Sequence, residues 1–249
     1  MMHKRSARSY NVDMIHYQKK DNVSYAIGTT VTMELLLNKV SKVRRVYINE
    51  KQHCDETYEK LLSLCKKNGI PTITNNQKIF KELSEKDNTM VIGEFEKYDE
   101  ILPKGNHLVL VNPMNQGNLG TIIRSAVAFE MGGIAIIRPA ADIYDPKVVR
   151  SSMGALFHAP FRYYDSIEEY LNEFKENNLY PFMLKAKTTL SNADIKEPYS
   201  LIFGNEAKGL PDSFLELGEP LLIEQSSKVD SLNLDNAVSI GLYIFSKRN

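Results

Sequence analysis

The chain has 249 residues, of which 43% are hydrophobic, and its 31 basic residues balance its 31 acidic ones. This length suits one large domain or two ordinary ones, and the composition is typical of a folded protein. No apolar run approaches the roughly 18 residues that a membrane span needs, and no apolar segment near the start predicts a signal peptide, so no membrane partner is expected.

The basic residues are concentrated at the start of the chain. Residues 1–51 hold 10 Lys/Arg and 4 Asp/Glu, a balance of +6, whereas the remainder holds 21 and 27, a balance of −6. Such an end can meet RNA phosphates, although a solvated basic tail has the same composition. Residues 1–22 are predicted to form a basic arm, and Asp13 and Asp21 disfavour a mitochondrial presequence.

Cysteine and histidine usage points to a cytoplasmic protein without a metal. Cys54 and Cys65 lie in a lysine-rich stretch and are interpreted as reduced thiols rather than a bridge. The five histidines are scattered and lack metal-ligand spacing.

The first predicted domain covers residues 23–95. Its predicted elements are a helix over Thr30–Lys39, a strand over Val43–Ile48, a helix over Asp55–Asn68, a strand over Pro71–Thr74, a short helix over Asn76–Leu83 and a strand over Met90–Gly93. This alternation predicts a small α/β domain. Residues 96–105 are charged and contain Pro103 and Gly105, which predicts a linker.

The second predicted domain covers residues 106–249 and alternates strands with helices. Strands are predicted at 107–111, 134–138, 160–164, 180–185, 201–204 and 220–224, and helices at 119–130, 145–153, 167–177 and 231–247. Continuous apolar strands between helices predict a parallel sheet that is covered on both faces.

Three polar segments stand at the ends of predicted elements. They are Asn112–Arg124 (NPMNQGNLGTIIR), Gly204–Leu210 (GNEAKGL) and Ser231–Ala237 (SLNLDNA). The first two follow apolar strands and the third opens an apolar helix. Because loops past the carboxyl ends of parallel strands build ligand sites, the three segments predict one shared pocket for a polar small molecule.

Each segment also has an ordinary structural interpretation. Gly117–Gly120 suits a common strand-to-helix turn, and Glu206 suits an acid at a helix N-terminus. Ser231 is placed as an N-cap, which would put Asn233 inside the first helical turn. A dinucleotide site and a P-loop are disfavoured, because neither G-x-G-x-x-G nor Gly-Lys-Ser/Thr occurs.

Together with Val148–Ala155, these segments resemble the SpoU (TrmH-like) family of RNA ribose 2'-O-methyltransferases, part of the SPOUT superfamily. The resemblance covers residues 106–249. It implies S-adenosylmethionine as cofactor, RNA and above all rRNA as partner, a C-terminal trefoil knot, and a homodimer with the active site at its interface. More weakly, residues 23–95 resemble the ribosomal-protein-like RNA-binding domain of many members.

The resemblance also implies roles for individual residues. The implied catalytic residues are Asn118, Arg124, Glu206, Ser231 and Asn233, and the implied cofactor-binding residues are Gly204, Asn205, Gly209, Leu210, Ile223 and Leu232. Because arginine resists deprotonation, Arg124 is expected to stabilise a phosphate or alkoxide, and to act as a base only if an RNA phosphate shares the proton. Ala207 replaces a common glycine, and Asp235 and Asn236 depart from the family pattern.

Two alternatives remain at this point. One is a ribose methyltransferase acting on tRNA, and the other is a non-catalytic RNA-binding factor in ribosome assembly. The intact polar residues of the motifs favour an enzyme over the second alternative.

Overall fold

A computed structural model describes residues 17–51, 55–74, 76–84 and 88–247. Most of the predicted basic arm therefore lies outside the described residues, as does Cys54. Within those ranges, no helix has both the length and the apolar character to cross a bilayer.

The first sheet has four strands, in the order β1-β4-β2-β3. The elements are β1 (Val23–Ile27), α1 (Thr29–Asn38), β2 (Val43–Ile48), α2 (Glu56–Lys67), β3 (Thr72–Ile73), α3 (Gln77–Leu83) and β4 (Val91–Glu96). β4 runs antiparallel to β1 and β2, and β3 runs parallel to β2. The sequence analysis missed β1, which is short and follows directly on the polar start of the chain.

The second sheet has five parallel strands, in the order β7-β6-β5-β10-β8. The elements are β5 (His107–Val111), α4 (Gln116–Ala128), β6 (Gly133–Ile137), α5 (Pro146–Ser151), β7 (Phe161–Tyr164), α6 (Ile167–Glu173), β8 (Asn178–Pro181), β9 (Thr188–Thr189), β10 (Tyr199–Phe203), β11 (Leu221–Leu222) and α7 (Leu234–Lys247). β9 and β11 form a separate parallel pair. The predicted α/β class with a parallel sheet is confirmed.

Some predicted boundaries are wrong. The strand predicted at 180–185 lies at Asn178–Pro181, and the one predicted at 220–224 shrinks to Leu221–Leu222. The last helix begins at Leu234 rather than at 231. Asn233 precedes that helix, because its backbone carbonyl accepts from the Ala237 nitrogen at 3.0 Å and its Oδ1 accepts from the Leu234 nitrogen at 2.9 Å. The prediction that Ser231 caps this helix is therefore wrong.

The two sheets share one hydrophobic core. A single buried cluster joins residues of the first sheet and α1 to residues packed on the second sheet. Within it the Phe95 ring contacts the Phe157 ring at 5.3 Å between centroids, and the Ser24 hydroxyl donates to the Tyr144 carbonyl. Tyr98 is buried in the same cluster although it falls in the predicted linker. The first domain is thus packed against the second rather than tethered to it.

Candidate active site

A cleft of about 330 Å³ opens at the carboxyl end of β10. Its walls come from the second and third motif segments and from residues around β8 and β11. All six residues with an implied cofactor role line it: Gly204, Asn205, Gly209, Leu210, Ile223 and Leu232. Two of the implied catalytic residues, Glu206 and Ser231, line it as well.

The backbone of the second motif is folded too tightly to admit a side chain at its start. A Cβ on Gly204 would lie 2.2 Å from the carbonyl carbon of Gly209 and 2.4 Å from the Leu210 nitrogen. Gly209 has a φ of 66° and donates its N–H to the Asn205 carbonyl at 2.9 Å. Glycine is needed at 204 for close approach and favoured at 209 for the left-handed conformation. Backbone atoms therefore form much of this wall.

Asn205 ties the second motif to the first. Its Oδ1 accepts from the backbone nitrogens of Ala207 at 3.0 Å and Lys208 at 3.2 Å, which fixes the turn. Its Nδ2 donates to the Asn112 carbonyl at 2.8 Å. Asn112 itself has a φ of 54°, a conformation that asparagine tolerates better than most residues.

Glu206 binds the backbone of the first motif. Its Oε1 accepts from the Asn115 nitrogen at 3.0 Å, and its Oε2 accepts from the Met114 nitrogen at 3.2 Å. Residues 206–208 form a turn, so the interpretation of Glu206 as an acid at a helix N-terminus is wrong. The carboxylate instead supplies the acceptors that fix the approach to α4.

The first and third motifs meet through two amide side chains. Asn115 caps α4 by accepting from the Asn118 nitrogen at 3.1 Å, so this helix starts before the predicted position 119. Asn118 Nδ2 then donates to Asn233 Oδ1 at 3.3 Å. Further along, the hydroxyls of Ser125 and Ser239 lie 2.8 Å apart, which extends the contact between α4 and α7.

Arg124 stands apart from this network. It is exposed on α4, and it does not line the cleft. Within the described ranges it makes no hydrogen bond or ion pair. The structure thus brings Glu206 to the first motif and Asn118 to Asn233, and it leaves the Arg124 guanidinium open to solvent.

Two residues of the site, Asn112 and Asn115, were given no role by the sequence analysis although both lie inside the first motif. The structure shows that the Asn112 carbonyl accepts a hydrogen bond from Asn205 and that Asn115 caps α4. The signal for Asn115 was its position just before the helical pattern, where N-cap residues are favoured.

A second and larger cleft, of about 680 Å³, lies between the two sheets and contains none of the predicted site residues among its lining. No group of three or more His, Cys, Asp or Glu that could hold a metal occurs in the described part of the chain. The smaller cleft is the better candidate, because all six residues with an implied cofactor role line it and Gly204 in its wall leaves no room for a side chain.

Two models of known protein families match this chain. The model of the SpoU rRNA Methylase family matches residues 105–243, and a model described as RNA 2'-O ribose methyltransferase substrate binding matches residues 25–100. The first of these matches corresponds to the second sheet and its helices, and the second match corresponds to the first sheet and its helices.

Individual relatives are similar over the second region. An uncharacterized tRNA/rRNA methyltransferase from Synechocystis sp. is 37% identical over 139 residues, which is 55% of this chain and 51% of the relative. The 23S rRNA (uridine(2479)-2'-O)-methyltransferase from Streptomyces viridochromogenes is 34% identical over 139 residues, which is 53% of this chain and 48% of the relative. The chain thus spans about half the length of these two curated relatives.

The fold is also shared with solved structures. The crystal structure of the SpoU methyltransferase AviRb from Streptomyces viridochromogenes, in complex with the cofactor AdoMet, matches with a TM-score of 0.81 and 24% identity. The match covers 91% of this chain and 90% of that chain. At this level of identity the likeness concerns the fold of both domains.

Proposed function

The chain belongs to the SpoU rRNA Methylase family, and from this membership we propose that it transfers a methyl group from S-adenosylmethionine to a ribose 2'-hydroxyl of RNA. The observation that carries the proposal is that the second and third motifs line one cleft and that both contact the first motif, through Glu206 and Asn115 and through Asn233 and Asn118. We propose rRNA as the substrate, because one of the relatives is named as an enzyme of 23S rRNA.

The cleft suits the proposed cofactor. Its volume lies within the range of roughly 300–1,000 Å³ that small-molecule sites occupy. Leu210, Ile223 and Leu232 supply apolar walls for an adenine ring, and the bare backbone at Gly204 permits close approach. We propose that these residues, together with Asn205 and Gly209, hold the cofactor.

Bound S-adenosylmethionine supplies a methyl group made electrophilic by its sulfonium centre. A ribose 2'-hydroxyl is a poor nucleophile at neutral pH, so the chain's own residues must orient it. Asn118 and Asn233 form a pair of amides beside the cleft that can hold a ribose hydroxyl in place, with Ser231 at the rim. Glu206 acts as a positioning residue, because it binds the loop that leads into α4, the helix on which Asn118 lies.

Arg124 is proposed to contact the RNA phosphate and to stabilise the developing alkoxide. Its exposure and its lack of a partner among the described residues leave all its N–H donors available. Because the guanidinium keeps its proton, the proton of the 2'-hydroxyl passes to the RNA phosphate or to solvent rather than to Arg124.

The assembly is proposed to be a homodimer. Ile240 and Tyr243 are exposed on α7, and the Tyr243 ring packs against Phe129 at the end of α4. A second copy of the chain that covers the exposed face of α4 and α7 would lie close to Arg124, which is on α4. The trefoil knot implied by the resemblance stays a prediction. Cytoplasmic residence is also a proposal, supported by Cys65, a free buried thiol.

The proposal is tested by incubating the full chain with methyl-labelled S-adenosylmethionine and rRNA from a strain that lacks the gene, and by analysing the RNA by nucleoside mass spectrometry. A 2'-O-methylnucleoside at one position is expected. Methylation of tRNA alone would favour the tRNA alternative. A methylated base, or no transfer to either RNA, would contradict the proposed reaction.

A further inference from the structure

The larger cleft lies where the segments that flank the first domain meet the second domain. Lys19 lines it from the end of the predicted arm, Lys97 and Tyr98 line it from the predicted linker, and Arg138, Tyr163 and Asp165 line it from the carboxyl ends of β6 and β7. Tyr98 and Tyr144, which also lines the cleft, belong to the hydrophobic core that the two domains share.

The cleft adjoins the candidate active site. Pro139, the residue after Arg138, accepts from Asn112 Nδ2 at 3.3 Å, and Asn112 opens the first motif. The wall of the larger cleft therefore contacts the residue at which the first motif begins.

Part of the charge in the cleft is used internally. Lys97 lies 3.8 Å from Asp142, donates to the Lys19 carbonyl at 2.9 Å and sits over the Tyr17 ring. Asp142 also accepts from the Tyr17 hydroxyl and from the Tyr144 nitrogen. These two charges thus hold the wall together and are not available to a ligand.

The remaining charges are mixed in sign. Arg138 and Lys19 are exposed cations, and Asp165 and Asp99 are exposed anions. A site that binds only phosphates would not be expected to contain two exposed carboxylates, because these repel phosphate groups. A nucleobase, in contrast, presents both N–H donors and acceptor atoms on its edge, and it can use both kinds of partner.

Arg138 offers a flat surface for such a base. Its guanidinium carbon lies 4.7 Å from the centre of the Tyr163 ring, which supports the plane from one side. Arg138 also forms an ion pair with Asp165 at 3.0 Å, and both side chains are exposed. Ion pairs between exposed side chains contribute only about 0–1 kcal/mol to stability. The pair can therefore yield to a ligand at low cost, and unpaired RNA bases often stack on arginine planes.

We propose that the larger cleft binds an unpaired nucleotide of the RNA, whose base stacks on Arg138 and meets the exposed carboxylates with its edge. This inference rests on the proposed function, since it assumes an RNA substrate. It adds a subsite that contacts the first motif through Pro139 and Asn112, and it assigns the principal contact to Arg138.

The test measures binding of a fluorescein-labelled 12-nucleotide mixed-sequence RNA by anisotropy, as a single strand and as a duplex with its complement. Arg138→Ala should weaken single-strand binding about fivefold or more, the range that loss of one stacking contact predicts, and leave duplex binding unchanged. Arg138→Lys should not restore it, because an ammonium lacks the guanidinium plane.

Arg162→Ala is the matched control. Arg162 pairs with Glu173 at 2.9 Å and lies 5.0 Å from the Tyr164 ring, so it also has a carboxylate partner and an aromatic neighbour, and it does not line the cleft. Melting curves establish that each variant is folded. Equal binding by Arg138→Ala and wild type, or an equal loss with Arg162→Ala, would overturn the subsite.

Two further outcomes separate the possible failures. Rescue by Arg138→Lys, with equal weakening of the single strand and the duplex, would identify a phosphate contact and overturn the base subsite. Methyl transfer is measured on the same preparations. If wild-type protein transfers no methyl group to RNA, the proposed function fails, whereas the anisotropy series still decides the cleft.

Discussion

The carboxylate of Glu206 lies 3.0 Å from the backbone nitrogen of Asn115, a residue 91 positions earlier in the chain. The same side chain also accepts from Met114. One acidic residue thus fixes the loop from which α4, and with it Asn118 and Arg124, departs.

Glu206→Gln is expected to lower the single-turnover rate of methyl transfer at least tenfold. The amide keeps one acceptor but turns an N–H group toward a backbone N–H, and the loss of a hydrogen bond to a charged group costs about 1.5–3 kcal/mol. S-adenosylmethionine affinity should change less than the rate. Glu216→Gln, an exposed carboxylate in the following turn, is the control. An unchanged rate in the Glu206 variant would remove its positioning role.

Arg124→Ala is expected to fold and bind cofactor normally but to lose methyl transfer by roughly two to three orders of magnitude, as for removal of one transition-state donor. Arg124→Lys should rescue only in part, because a point charge lacks the planar fork. Melting temperature, calorimetric cofactor affinity and single-turnover rate are measured on one preparation. A stable variant that turns over at the wild-type rate would exclude Arg124 from the reaction.

Gly204→Ala is expected to abolish detectable cofactor binding by calorimetry, since the new methyl group would lie 2.2 Å from backbone. Gly209→Ala is the matched comparison, because its methyl group meets nothing within 4 Å. That variant only strains a left-handed residue, at about 1–2 kcal/mol. Its cofactor affinity should fall much less. Equal affinities in the two variants would argue against the second motif as the cofactor wall.

His107 predicts a pH dependence of stability. Its Nε2–H donates to the Pro103 carbonyl, and its Nδ1 lies 2.9 Å from the Tyr170 hydroxyl. The side chain is fully buried, and burial lowers its pKa below 6.5. The unfolded chain therefore binds a proton more readily, and the contribution of this histidine is complete above pH 6.5 and decreases as the pH falls from there.

Urea unfolding at pH 7.5 and pH 5 measures this contribution. His107→Gln should be less stable at pH 7.5 and should show a smaller loss between the two pH values than the wild type. His158→Gln, an exposed histidine, provides the comparison. A His107 variant with the same pH dependence as wild type would contradict the assignment.

The shared core predicts that both domains unfold together. Phe95 is fully buried and contacts Phe157 across the domain boundary. Phe95→Ala should cost about 3–5 kcal/mol. Scanning calorimetry should show one transition in the wild type, lowered by roughly 6–20 °C in the variant. Two wild-type transitions, with only one of them affected by the substitution, would mean that the domains are independent.

The sequence predicted elements more reliably than it predicted contacts between distant residues. The apolar strand at 107–111 and the glycine-rich turn after β10 follow from local pattern, because strands and tight turns leave local signals. The pairing of Asn118 with Asn233 leaves no such signal, since it depends on how α7 packs on α4. Ser231 looked like a helix cap by residue type alone, but a neighbouring asparagine takes that position.

The segment 96–105 illustrates a second limit. Its charges, proline and glycine favour a loop, and residues 97–106 indeed form no helix or strand. Pattern alone did not reveal that Tyr98 and Leu102 are buried, because their burial depends on the placement of both sheets. Composition can predict that a segment forms no helix or strand. It does not predict whether that segment is a flexible connection or is packed into the core.

The position of β10 in the middle of the parallel sheet has a consequence for synthesis on the ribosome. Leu201 pairs with Leu108, so one side of β5 remains without its neighbour until roughly 90 more residues have been made. Through that interval the nascent protein carries an apolar strand with an open edge, the kind of surface that recruits other chains. Long-range pairing of this kind also slows folding. Until β10 has been made, the open edge of β5 is therefore a site at which nascent chains can associate with one another.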